Sequence, residues 1–218
     1  MEVSVKSNKE ILKMYGAYYY DKKDLLHVSG PDDLYSYEVY GKIDLLRISS
    51  NSMVYALTKD GFIRECGPAS LTNVSFATVI HGYRPPTAFR AADRLDTNLP
   101  YVNGCSTEQI FPPIRVGDPT MQLLYMPPHT SEQSHHIHST VRAVYVLSGK
   151  GRSIVGTSEA TAITDLVPGR ICVLEKMCPH HFDTAEESLT VIPVHVFSSI
   201  GGGEHNHPMF NGTYMTDK

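Results

Sequence analysis

Short runs of β-branched, aromatic and aliphatic residues, each cut off by Gly, Pro, Asn or Asp, recur along most of this chain and limit what it can fold into. YSYEVY (35–40), IDLLRIS (43–49), SMVYALT (52–58), FIRE (62–65) and SFATVI (75–80) come first. MQLLYM (121–126) follows, then segments near 134–138, 142–148, 152–156, 171–175, 178–184 and 189–198. Runs of about four to eight residues with such punctuation read as strands, and their near-exclusive use predicts a β-sandwich or jelly roll. Asp60-Gly61 is a hairpin signal because both residues tolerate positive φ, and Gly149-Lys150-Gly151 predicts a tight turn between two strands. Residues 81–120, with Pro85-Pro86 and Pro112-Pro113, predict no helix.

One short helix is expected near the start. Ser7 and Glu10 have capping-box spacing, and Ile11, Leu12, Tyr15, Tyr18 and Tyr19 recur at helical intervals. The tyrosine stripe predicts a packing face against the rest of the protein or against a second subunit.

Composition narrows the function. No stretch approaches the ~20 apolar residues of a membrane span, and the start MEVSVKSNKEIL lacks the basic and apolar regions of a secretory signal, so a cytoplasmic location is expected. Cys66, Cys105, Cys172 and Cys178 form no CxxC pair and read as reduced thiols. The net charge of −4 arises entirely after residue 98: residues 1–98 hold 12 basic and 12 acidic side chains, residues 99–218 hold 7 and 11. No basic cluster of the kind that displaces phosphate counterions exists, which argues against a nucleic-acid partner. Nor is a membrane partner expected.

Nine of the eleven histidines lie between His129 and His207. His136 and His138 stand at i and i+2 on a predicted strand, so both face the same side at a spacing that suits one metal ion. His180 follows 42 residues later, and an HxH on one strand with a distant third histidine is how antiparallel sheets assemble an open three-His site. His135 and His181 alternate to the opposite face. His195 lies on the face of Val191 and Phe197, either orienting a ligand or acting as acid or base, or simply hydrogen-bonded in the core. His205 and His207 repeat the i, i+2 spacing in a tail after Gly201-Gly202-Gly203, and His129 reads as a loop residue.

The stretch HHIHSTVRAVYVLSGKG resembles the first motif of the cupins, with His136, His138 and Gly149 in register, and GRICVLEKMCPHHF resembles the second, with Gly169 and His180 in register. The resemblance covers residues 119–199. It implies an all-β jelly-roll barrel, the double-stranded β-helix, over residues 99–200. Residues 1–98 are then an N-terminal extension with one helix and β-hairpins that packs on the barrel or dimerises, and residues 201–218 a C-terminal tail. It also implies a metal held by His136, His138 and His180. Two departures stand out. Arg142 occupies the position of the usual Glu ligand, and Glu175 and Met177 stand where Pro and Gly are usual.

Three-His cupins without the Glu resemble gentisate-type and thiol dioxygenases, which use Fe(II). The expected function is therefore a non-haem Fe(II) oxygenase on a small anionic organic substrate. Arg142 either holds the substrate's carboxylate or turns away to pair with an acid such as Glu132 or Glu175. His195 is the second candidate catalytic residue. The alternatives are an O2-independent metal-dependent lyase or isomerase using Zn, Mn or Ni, and a non-enzymatic ligand-binding cupin. A homodimer is expected from the resemblance. Tyr145 is placed outside the barrel by parity, Tyr125 is undetermined, and Cys178 is either close to the metal or an inert buried thiol.

Overall fold

The computed structural model describes residues 6–21, 23–30, 36–83, 89–91, 96–113 and 117–196. The proposed tail with His205 and His207, Phe197 and the Pro85-Pro86 segment lie outside the described residues.

First among the described residues comes helix α1 (Asn8–Met14), whose Ser7 and Glu10 form the expected capping box. The tyrosine stripe does not continue it. Gly16 adopts φ +68°, and Ala17–Tyr20 becomes strand β1. A two-residue alternation then replaces the helical one: Tyr18 and Tyr20 turn toward one hydrophobic cluster, Ala17 and Tyr19 toward another.

The next seven strands are β2 (Leu25–Val28), β3 (Tyr37–Tyr40), β4 (Ile43–Ile48), β5 (Ser52–Thr58), β6 (Gly61–Cys66), β7 (Ala69–His81) and β8 (Phe89–Ala91). They form an outer sheet in the order β2-β3-β7-β5-β6-β8, with β4 also paired to β7. The β5–β6 hairpin forms as expected, but its loop is Lys59-Asp60. Thr58 faces Gly61, and of Asp60 and Gly61 only Gly61 takes positive φ.

The barrel follows, with β9 (Leu99–Pro100), β10 (Ser106–Phe111), β11 (Thr120–Met126), β12 (Val141–Gly149), β13 (Gly151–Thr157), β14 (Ala160–Leu166), β15 (Ile171–Leu174), β16 (His180–Asp183) and β17 (Leu189–Val196). Its long sheet runs β1-β15-β12-β17-β11-β10-β9 and its short sheet β14-β13-β16. Helix α1 packs on β13 and β14. Residues 7–20 therefore belong to the barrel by pairing: Ala17–Tyr20 matches Ile171–Leu174 strand to strand. Strand β14 carries no separate sequence signal, because ATAITDL mixes small, polar and apolar residues.

Alternation along the long sheet divides its side chains between two cores. Val141, Ala143, Ile171, Val173, Ile192 and Val194 face outward and meet Tyr37, Tyr55, Phe62 and Phe76 of the outer sheet. Tyr145 joins this seam, stacked on Phe76 with centroids 5.6 Å apart, as parity predicted. Val144, Val146, Cys172, Leu174, Leu189 and Val191 face inward with Val155, Leu166 and Phe182 of the short sheet. Leu46, Val54, Ile63, Leu71 and Val79 fill a third core on the far face of the outer sheet.

Where the chain passes from the long sheet to the short one, Gly149 has φ +76°, and a Cβ there would stand 1.8 Å from the Ser188 carbonyl oxygen. Only glycine fits that corner.

Candidate metal centre

The segment 134–138 is not the strand the sequence predicts. It pairs with β16 through a single bridge, His136 to His180, after another between Ser131 and Asp183. Local bonding explains the difference. The His136 side chain bonds back to the Ser134 carbonyl, a short-range contact that competes with a regular ladder. The bridge nevertheless fixes the site, because His136 N donates to the His180 carbonyl at 3.0 Å and His180 N to the His136 carbonyl at 2.9 Å.

His136, His138 and His180 meet inside the barrel, each offering one ligand atom, all within 4.8 Å of one another. Their tautomers are largely set. His136 Nδ1 lies 2.7 Å from the Ser134 oxygen and His180 Nδ1 2.8 Å from the Cys178 oxygen. A carbonyl only accepts, so both Nδ1 atoms carry the proton and both Nε2 atoms present lone pairs. His136 Nε2 faces His138 Nε2 at 2.9 Å, where His138 must donate a proton if nothing else sits between them. Two imidazoles bound cis to one ion at about 2.0–2.1 Å have nitrogens about 2.9–3.4 Å apart. The donor set thus fits a divalent transition metal: three neutral imidazoles, two already oriented by backbone carbonyls.

Electrostatics keep these rings neutral. Burial depresses all three, with the Arg142 charge acting in the same direction, and His180 is brought down to about 3. His195 is also held well below its ordinary range by burial and by Arg142.

Arg142 and His195 stand opposite each other on β12 and β17 and line the same cavity as the three histidines. This cavity has a volume of about 770 Å³ and is the barrel interior, its apolar wall including Leu124, Val144, Leu174, Phe182 and Val191. Arg142 donates to Thr140 Oγ1. Among the described residues no carboxylate lies within ion-pair distance of it, and burial pulls it down to about 9, still cationic at neutral pH. Neither acid weighed as its partner takes that part. Glu175 binds His27 Nε2 at 3.0 Å and accepts from Tyr37 Oη at 3.1 Å, next to the outer sheet.

Glu132 is the site residue that sequence reasoning passed over, having been considered only as a possible counter-ion. It is 7% exposed, lines the cavity, and accepts the Phe182 N–H at 2.6 Å through Oε2. Burial, with no cationic partner among the described residues, raises its carboxyl to about 8, so it is largely a neutral acid at pH 7. No motif marks it; only its position in the barrel wall does. An unfolded chain ionises this group near 4.5, so the folded state loses stability as pH rises from there toward 8. For metal-free protein, we expect Glu132→Gln to gain on wild type across this interval, by on the order of 3 kcal/mol at pH 9. Urea denaturation at pH 5 and pH 9 checks this, and a pH-independent difference would contradict it.

The loop after β15 explains the second departure from the motif. Met177 adopts φ +64°, the conformation for which glycine is usual, while its side chain is 56% exposed and its N–H donates to the His138 carbonyl at 2.6 Å. The loop keeps its glycine-type geometry without the glycine. Met177→Gly should therefore stabilise the chain by about 1 kcal/mol, read from the denaturant midpoint.

The other candidates separate cleanly. His135 is exposed and His181 half-buried, both outside the cavity. His129 sits in a loop at φ +57°, 3.4 Å from Glu186. Cys178 is buried, and burial raises its thiol to about 12, which leaves it unreactive while its backbone carbonyl orients His180. All four cysteines are free. Tyr125 is half-buried between Ser106 and Thr190. Among the described residues no helix is long and apolar enough to cross a membrane.

No protein-family model and no curated protein matches the sequence. Solved structures do. An IolB-like protein from Salmonella typhimurium LT2 aligns with a TM-score of 0.56 at 10% identity, over 80% of this chain and 89% of that one. A cupin 2 conserved barrel domain protein from Leptotrichia buccalis aligns with a TM-score of 0.48 at 12% identity, over 90% and 98%. A DMSP lyase structure aligns with a TM-score of 0.39 at 15% identity over 49% of this chain, which spans about half, 52%, of that chain. With its two-sheet barrel, its three-histidine interior and its match in fold to the IolB-like protein, the chain has the cupin fold.

Proposed function

We propose that this chain is a metal-dependent cupin enzyme, a non-haem Fe(II) oxygenase acting on a small anionic organic substrate. One observation carries the reading: three neutral histidines converge in an apolar cavity that also holds a guanidinium with no carboxylate partner among the described residues. His136, His138 and His180 would hold the ion, and when bound it supplies Lewis acidity and, as Fe(II), redox access to O2. Arg142 receives the substrate's acid group through paired charge-assisted bonds, strong here because the site is enclosed. The wall formed by Val144, Leu174, Phe182 and Val191 excludes water from the reacting groups. His195, neutral and next to Arg142 in register, stands where it can take or give a proton.

Glu132 favours a second reading, an O2-independent lyase or isomerase with Zn, Mn or Ni. A neutral carboxyl whose Oε2 accepts the Phe182 amide holds its proton on Oε1, ready to be donated. One experiment separates the two. Protein purified without a nickel column is analysed for metals, reconstituted anaerobically with Fe(II), and assayed for oxygen uptake with aromatic hydroxy acids and thiol acids. Iron retention with substrate-dependent uptake supports the oxygenase. Retention of Zn, Mn or Ni without uptake supports the second reading, and failure to bind Fe(II) counts against the first.

A further inference from the structure

The bridge that turns His136 and His180 into the barrel also acts on its other face. Its antiparallel register sets His135 opposite His181, so one bridge carries two histidine pairs back to back, one inside and one outside. The outer rings are nearly perpendicular, at 84° with centroids 5.0 Å apart, and their Nδ1 atoms lie 2.7 Å from each other. His135 Nε2 is 2.6 Å from the Gly156 carbonyl oxygen, a contact that requires its proton on Nε2. His135 Nδ1 is therefore a lone pair, and the proton between the rings is the one on His181 Nδ1. Moving that proton to His181 Nε2, the other tautomer of the neutral ring, leaves both Nδ1 lone pairs free between the two rings. Cis ligation of an ion at about 2.0–2.1 Å needs a separation of about 2.9 Å at right angles, or about 3.4 Å in a tetrahedron. An exposed histidine reaches either by a small side-chain rotation.

We propose that His135 and His181 form a second, solvent-facing transition-metal site that takes a borderline divalent ion such as Zn, Ni or Cu. Two imidazoles and water suit these metals, not Mg or Ca. The charges beside the pair are Asp183, next on the face of His181, and Arg152, which binds Asp183 at 2.9 and 2.6 Å and offsets its charge. The site is accordingly weaker than an enclosed three-histidine centre. It stands whatever the interior histidines hold, because it depends only on the register and the outer rings.

The test is Zn(II) binding to the chelator-stripped full chain by equilibrium dialysis, in a His205→Ala/His207→Ala background so that the tail histidines contribute nothing. About two ions per chain are expected. His135→Ala/His181→Ala should lose the weaker one and keep the tighter. His136→Ala/His138→Ala should do the reverse. His181→Gln, which keeps the side chain's size, should weaken the outer site at least about tenfold and leaves the result readable if the double variant misfolds. Unchanged stoichiometry and affinity in both outer variants, with folding intact, would reduce the pair to a hydrogen bond and overturn the proposal. So would loss of all binding in the interior variant while its fold is retained. Failure of the interior site alone appears as loss of the tighter ion with the outer one still present, so the two results are distinguishable.

Discussion

His136→Ala/His138→Ala is expected to leave the folded protein without tightly held metal, and to lower turnover by several orders of magnitude. The expected fall in tightly held metal, after dialysis against metal-free buffer that strips the weaker outer site, is from about one ion per chain to near zero. The magnitude follows from the construction of the site. His180 alone offers one nitrogen, and no other described residue joins the group of ligand atoms gathered there. A lone imidazole does not hold a divalent ion against water. The fold should survive, because the bridge to His180 uses the backbone of residue 136 and not its side chain. Elemental analysis and the thermal midpoint with and without added metal check both parts. Wild type should gain several degrees on metal addition and the variant much less. Full activity in the variant would instead favour a ligand-binding role without catalysis.

Arg142→Leu should move stability and binding in opposite directions. A buried cation with no counter-ion among the described residues is a cost to the folded state, so its removal should raise stability by about 1–3 kcal/mol in the metal-free protein. The same change removes the group that receives an acid, so the apparent KM for an acidic substrate should rise about 100-fold or more. Few substitutions at a merely structural arginine give this pair of results. Arg142→Gln should share the loss of affinity with a smaller gain in stability, since its amide still reaches for hydrogen-bond partners. Unchanged kinetics in both variants would remove Arg142 from the site.

Most of the barrel was legible because its strands are short, apolar and punctuated, and because HxH and a distant histidine survive translation into three dimensions. Gly149 could be read for the same reason: the corner allows nothing larger. What could not be read depended on distant partners. Tyr18 and Tyr19 have helical spacing, and only Gly16 and the β15 edge make them a strand. Residues 134–138 alternate like a strand, yet a side-chain bond from His136 to Ser134 breaks the ladder. Glu132 carries no motif, and its chemistry comes from where the wall places it. Arg142 was identified from its misfit to the pattern, while its freedom from Glu132 and Glu175 required the structure.

Strand β1 has a consequence for how this molecule is made. It precedes its partner β15 by about 150 residues in the chain. The barrel's long sheet therefore cannot complete one edge until these two distant segments meet, a high-contact-order closure that slows folding and leaves the β15 edge unpaired meanwhile. A shortened chain starting at residue 99 would keep every interior histidine yet carry that edge permanently open. It should associate through that edge or aggregate, so the opening residues act as the barrel's own protection against unwanted strand pairing.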